Sequence, residues 1–185
     1  VNRECEGVSI SVCQQNCGLA EELDSLFALA SDYWSQMIKL ARIVCPTDFS
    51  PTSSRAVDYA ATMAESFGAE LVLLHVIPDM DYPMRSFGMS ASLHHIQEEL
   101  ETRANETLDK RIEKLKESLP NVKVRTHVGH GEAHVATLAC AKDESADMIV
   151  LGTHGHTGIT HALLGSTAEK IVRLATCPVT TVRTP

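Results

Sequence analysis

From residue 41 onward, short apolar runs of strand length alternate with amphipathic stretches of helix length, and this alternation constrains the fold more than any other feature. Leu71-Val72-Leu73-Leu74-His75-Val76-Ile77 is almost unbroken in its apolar character, the pattern of a strand covered on both faces. Ala41-Arg42-Ile43-Val44-Cys45 is a second such run, closed by Pro46. Between them, residues 53–67 place Ala56, Val57, Ala60, Met63 and Ala64 at helical spacing, and Gly68 stands where a helix would stop. A longer helix is predicted over 92–119, with Leu93, Ile96, Leu100, Ala104, Leu108, Ile112 and Leu115 on one stripe. Strands follow over 122–128, 148–151 and 179–182, with helices over 132–142 and 166–175 between them. Strands separated by helices demand right-handed parallel crossovers, so the expected architecture is α/β: a doubly wound, five-stranded parallel sheet of Rossmann-like type with helices on both faces. In such sheets ligands bind beyond the carboxyl ends of the strands, where the winding reverses.

Residues 1–36 do not share this texture. They hold a polar, cysteine-containing stretch and one helix-like piece around Leu23, Leu26, Phe27 and Ala30. The expected organisation is therefore an extension over 1–36 and an α/β domain over 37–185. Met37-Ile38-Lys39 resembles a start site, so the extension is expected to be peripheral, or even outside the native product. Peptides from residues 1–36 in the native protein would reject the second version. The formal charge of −8 is also uneven: residues 1–36 carry six acids and one base. The acidic balance argues against a general nucleic-acid partner, which needs a basic stripe. No apolar run approaches the roughly 20 residues that cross a bilayer, and no basic-then-apolar leader opens the sequence. The expectation is a soluble cytoplasmic protein with no membrane partner. Cys45, Cys140 and Cys177 lie among small apolar neighbours, as buried free thiols do, while Cys5, Cys13 and Cys17 lack a local fourth partner for a metal.

The chemistry points to Gly152-Thr153-His154-Gly155-His156-Thr157-Gly158, directly after a strand, with Gly165-Ser166-Thr167 opening the next helix. A phosphate needs main-chain N–H donors at close range, and a Cβ would block the approach. Glycines at 152, 155 and 165 remove that obstruction and permit left-handed turns. Ser166 is a natural N-cap whose hydroxyl could reach a phosphate oxygen, and the helix start adds about half a positive charge. The bland alternative is that the glycines only turn the chain and Ser166 only caps. There is no G-x-x-x-x-G-K-[ST], which excludes a Walker-type loop. Gly129-x-Gly131 ends the third strand and is a weaker candidate, for a ribose.

The G-x2-G-x9-G-S pattern at Gly152, Gly155, Gly165 and Ser166 resembles the ATP-binding signature of the universal stress protein family. Ile43-Val44-Cys45-Pro46-Thr47-Asp48-Phe49-Ser50, Ala146-Asp147-Met148-Ile149-Val150-Leu151-Gly152 and Cys177-Pro178-Val179-Thr180-Thr181-Val182 are similar to the same family in the same order. The similarity spans about residues 38–184. It implies strand order 3-2-1-4-5, ATP as ligand with Mg²⁺ carried by the nucleotide, and a homodimer paired through the last strand. It further implies that Asp48 sits against the base, with Pro46 and Thr47 as pocket wall, and that Val76 offers its main chain to the adenine edge. Thr153, Gly155, Gly165, Ser166 and Thr167 would face the phosphates. Asp48 could instead cap the turn that follows it, and Val76 could be plain core.

Relatives often carry Arg after the second glycine, whereas this chain has His156, with His154 two residues earlier. Phosphates would favour charged imidazoles, so ATP binding is expected to weaken from about pH 6 to 8 if these residues touch them. Solvent-facing loop histidines are the alternative. His127, His130 and His134, and separately His154, His156 and His161, invite a metal, but no H-E-x-x-H pattern supports one. Three functions remain open: an ATP-binding regulatory module, a slow ATP hydrolase or phosphoryl-transfer enzyme, and an adaptor that does not use nucleotide. Residues 152–168 contain no Lys or Arg to stabilise a phosphoryl-transfer transition state, which favours the first.

Overall fold

The computed structural model describes residues 40–79, 90–153 and 164–183, together with the backbone but not the side chains of 90–94 at the start of one helix. All belong to a compact unit, Leu40–Pro185. Among the described residues the order is β1 (Arg42–Pro46), α1 (Pro51–Phe67), β2 (Glu70–Ile77), α2 (Ser90–Ser118), β3 (Lys123–His130), α3 (Ala133–Asp143), β4 (Met148–Gly152), α4 (Ser166–Leu174) and β5 (Val179–Val182). The sheet is five-stranded with order β3-β2-β1-β4-β5, and every pairing is parallel. No helix of the described residues is long and apolar enough to cross a membrane.

Side chains of a strand alternate between faces, and the two cores separate on that alternation. Ile43, Cys45, Leu71, Leu73 and Val150 pack with Ala56, Val57, Ala60, Ala64, Leu108 and Leu115 from α1 and α2. Val44, Val72, Leu74, Ile149 and Leu151 pack on the other face with Cys140 and Ala141 of α3 and Ala168 and Ile171 of α4. The alanine-rich stripe of α1 lets that helix lie close to the sheet. Of the stripe expected on α2, Ala104, Leu108 and Leu115 are buried, whereas Ile96 is exposed.

The α1 helix begins at Pro51, two residues before the sequence-based expectation. Ser50 is its N-cap, accepting from Ser53 N–H at 3.1 Å, and Pro51 occupies the first turn, where its missing N–H costs nothing. Gly68 closes the helix as expected. β3 runs on to His130 rather than stopping at 128, because Val76 and Ile77 continue to pair with Gly129 and His130. Cys45 and Cys140 are buried free thiols, and burial pushes them up to about 12 and about 11, so neither offers a thiolate near neutral pH.

The amino-terminal edge of the sheet is held by charge. Arg42 and Arg125 both reach Glu70 at 3.2 Å, Arg125 donates to the Glu144 carboxylate and Arg42 to the Glu144 carbonyl. Asp147 accepts from the Ala41 and Arg42 amides at 2.7 and 2.9 Å. These groups lie at the end of the sheet opposite the candidate site and leave the carboxyl rim to other chemistry.

Candidate functional site

The winding reverses at β1, which has β2 on one side and β4 on the other. The carboxyl rim there is built first by the turn after β1. Thr47 N–H donates to Leu74 C=O at 2.7 Å, beyond Pro46, the last β1 residue paired with β2. The Thr47 hydroxyl, itself buried, accepts from Phe49 N–H at 3.1 Å and lies 3.1 Å from Ser53 Oγ. Ser50 Oγ donates to Ser53 Oγ at 3.2 Å, and Ser53 Oγ in turn reaches Ser50 C=O at 3.1 Å. The three hydroxyls thus form a satisfied cluster beneath the rim. The half-buried Asp48 accepts from Ser50 N–H at 3.0 Å. This is the turn-capping arrangement, one of the two roles the sequence left open for it.

Phe49 adopts φ 64°, in the left-handed region. An aromatic residue there costs on the order of 1–3 kcal/mol and persists only where its surroundings hold it. His75 lies against this turn: its ring stacks on Phe49 with centroids 4.3 Å apart and planes 24° from parallel, and its Nδ1 lies 2.8 Å from the Thr47 carbonyl oxygen.

Val76 sits beside this turn. Main-chain polar groups along a strand alternate between the two neighbouring strands. Glu70 N–H donates to Ala41 and Leu74 C=O accepts from Thr47, both on the β1 side, while Ile77 C=O accepts from Gly131 on the β3 side. Val76 therefore directs its N–H and C=O toward β1, at a level past Thr47. Its side chain packs against the α3–α4 core. Gly129 is its register partner. A Cβ at Gly129 would meet Ala136, Leu74 and Val76 at ordinary contact distances of 3.5 to 3.8 Å, so the position is not reserved for glycine by space. Gly131 is different: its φ of 95° favours glycine, and its N–H closes onto Ile77 C=O at 3.0 Å.

The glycine-rich loop requires correction at three residues. Gly152 does not open space for a ligand. A Cβ there would lie 3.0 Å from Thr52 Cγ2, 3.2 Å from Thr52 C and 3.3 Å from Ser53 N, so the missing side chain admits the first turn of α1. Neither Gly152 nor Gly165 is left-handed: among the described glycines only Gly68 and Gly131 have positive φ, and Gly165 is extended at φ −71°, ψ 156°. Ser166 is not the N-cap of α4. Gly165 is, with no side-chain cap hydrogen bond, and Ser166 is the first helical residue. The first intrahelical bond runs from Glu169 N–H to Gly165 C=O, which leaves the amides of Ser166, Thr167 and Ala168 ahead of the helical ladder. Ser166 and Thr167 are exposed at this opening, and Ala168 is buried. Thr153 N–H donates to Val182 C=O at 3.0 Å, and Gly165 N–H to Thr153 C=O at 2.8 Å, so the two ends of the loop are tied together on the sheet. His154, Gly155 and His156 lie outside the described residues.

Pro46, Thr47, Asp48, Val76, Gly129, Gly152 and Thr153 thus all stand at or just beyond the carboxyl ends of their strands, and Gly165, Ser166 and Thr167 at the opening of α4. Phe49, Ser50, Ser53 and His75 were not foreseen. Ser50-Pro51 was a readable signal for a helix start; the His75–Thr47 contact, 28 residues apart, left none. Among the described residues no group of three or more His, Cys, Asp or Glu side chains could hold a metal ion.

Fold and rim together define a doubly wound α/β domain whose switch point carries a capped turn, a directed strand end and a helix start with glycine at its N-cap. The chain belongs to the universal stress protein family, whose model matches residues 39–183. It is 35% identical over 144 residues to universal stress protein MJ0531 of Methanocaldococcus jannaschii (78% of this chain, 82% of the relative). With universal stress protein MJ0577 of the same organism it shares 30% identity over 152 residues (77% and 94%). The fold matches that of UspA from Lactobacillus plantarum with a TM-score of 0.69 at 24% identity, covering 78% of this chain and 98% of that one. It also matches a universal stress protein in complex with cAMP (TM-score 0.56, 23% identity, 79% and 98% covered) and one from Archaeoglobus fulgidus in complex with dAMP (0.57, 20%, 78% and 98%).

Proposed function

We propose that this protein is an ATP-binding regulatory module, with the base at the end of β1 and β2 and the phosphates at the start of α4. The observation that carries the reading is the α4 opening: an extended glycine N-cap without a side-chain cap, tied to Thr153, leaves the Ser166, Thr167 and Ala168 amides ahead of the helical ladder. Helix-start amides and the helix dipole favour an anion, and the Ser166 and Thr167 hydroxyls add further donors. His154, Gly155 and His156 complete the phosphate side of the proposal. At the base side, Val76 main-chain groups directed past β1 suit an adenine edge, with Asp48 on the turn above and Pro46, Thr47 and Gly129 as wall. Two proteins of the same fold in complex with cAMP and dAMP agree with an adenine ligand. Mg²⁺ arrives with the phosphates and keeps water and phosphate ligands. Regulation is favoured over dedicated phosphoryl transfer because residues 152–168 supply no Lys or Arg.

β5 is an edge of the sheet, and we place a homodimer contact on it, since an uncovered edge can pair with its own copy. A monomer's mass at micromolar concentration would contradict that contact. Isothermal titration with ATP, ADP and AMP tests the ligand: saturable ATP binding that weakens as phosphates are removed is expected, and three flat titrations would refute it. Single-turnover hydrolysis well above the uncatalysed rate, lost in Gly155→Val, would favour the enzyme instead.

A further inference from the structure

Resting on the nucleotide reading of the rim, we infer that His75 is a positioning residue, whose ring holds the turn after β1 in the left-handed shape that sets Asp48 opposite the main chain of Val76. Three observations converge. His75 Nδ1 lies 2.8 Å from the Thr47 carbonyl oxygen. A carbonyl oxygen has no proton to give, so Nδ1 carries it, whether the imidazole is neutral or charged. The face of the same ring stacks on Phe49, centroids 4.3 Å apart. Phe49 in turn is the strained residue of the turn, at φ 64°.

One side chain therefore grips the turn at both ends, by a hydrogen bond to Thr47 before Asp48 and by ring contact with Phe49 after it. His75 also immediately precedes Val76, so the strand end and the turn that face each other across the proposed base site are coupled through a single ring. The stacking is available to any aromatic residue, and the hydrogen bond only to one with a donor at the Nδ1 position. Phenylalanine keeps the first and loses the second. Asparagine, whose side-chain amide nitrogen falls near the Nδ1 position, keeps the second and loses the ring.

The test combines amide hydrogen exchange at Phe49 and Ser50, ATP titration, and the ¹⁵N spectrum of the His75 ring, on the full chain and on His75→Phe and His75→Asn. The expected result is a protonated Nδ1 across pH 6 to 8, and protected Phe49 and Ser50 amides in the parent protein. His75→Phe loses that protection and about tenfold in ATP affinity, at an unchanged far-UV spectrum, and His75→Asn recovers most of the affinity. Parent protein that binds ATP while His75→Phe binds it equally well, with the same protection, overturns the positioning role alone. A ring protonated only at Nε2 also overturns it. Failure of the parent to bind ATP at all, whatever the exchange pattern, removes the positioning role together with the nucleotide reading.

Discussion

Replacing Gly152 by alanine separates the two jobs that a glycine-rich loop can do, because the structure assigns this glycine to packing. The added Cβ would lie 3.0 Å from Thr52 Cγ2, which can rotate away, but also 3.2 Å from Thr52 C and 3.3 Å from Ser53 N, which are backbone of the first turn of α1. Ser53 N–H is itself committed to the Ser50 cap at 3.1 Å, so a shift of a few tenths of an ångström strains that bond as well. Overpacking of this kind costs about 1–3 kcal/mol. Against it stands a gain of roughly 0.4–1 kcal/mol from stiffening the unfolded chain, since Gly152 is not left-handed. The net expectation is a loss of about 1 kcal/mol, or a fall in Tm of roughly 2–4 °C for a domain of this size. Gly152→Val, with two further methyl groups, should lose at least twice as much. Calorimetry without nucleotide, alongside Gly165→Ala as control, provides the assay. Gly165 has an ordinary extended backbone, and its alanine variant should stay within about 1 kcal/mol of the parent. A Gly152→Ala protein as stable as the parent would refute the packing assignment and return Gly152 to the ligand.

Ser50→Ala removes the α1 N-cap and should cost about 1 kcal/mol, read from urea unfolding; no change would mean the hydroxyl cluster reorganises around its loss. The Arg125 guanidinium holds the Glu144 carboxyl below its usual value of 4.5, first through their hydrogen bond and then through charge, with Arg42 adding to it. A lowered folded-state value gives stability that is in place above the unfolded pKa and lost as pH falls through the folded one. Below about pH 4.5, Glu144→Gln should therefore lose stability with pH less steeply than the parent, and equal slopes would dismiss the pair. With its thiol at about 12, Cys45 is ionised in only about one molecule in ten thousand at pH 8. Site-resolved alkylation should find Cys45 unmodified until the protein unfolds, while the half-buried Cys177 reacts earlier; rapid labelling of native Cys45 would contradict its burial. ATP affinity should weaken from about pH 6 to 8 through His154 and His156, and a flat profile would remove both from the phosphate contacts.

The layered fold was legible because Leu71–Ile77 and the other apolar runs are too short for buried helices and too continuous for one-sided strands. The parallel order then followed from the helices between them and from the family resemblance. What eluded the reading were matters of partner rather than pattern. A glycine in sequence does not say what fills the space it leaves, so Gly152 looked like part of a ligand cradle when Thr52 and Ser53 occupy it. Ser166 carried the usual cap chemistry, yet Gly165 takes the cap position, because the chain is still extended there when Thr153 binds its amide. The hydrophobic spacing of α1 began at Ala56, which hid the start that Ser50 and Pro51 mark by hydrogen bonding instead. Phe49 and His75 meet only because β1 and β2 are neighbours in register, a contact no local window contains.

Backbone amide chemical-shift mapping during titration with ATP addresses the rim most directly. Saturable shifts concentrated at Asp48, Val76, Ser166, Thr167 and Ala168, with Arg42, Arg125 and Glu144 at the far edge unmoved, are what a nucleotide bridging the strand ends and the α4 opening would produce. Shifts that never saturate, or that fall anywhere but on those two edges of the switch point, would mean that ATP is not the ligand of this site.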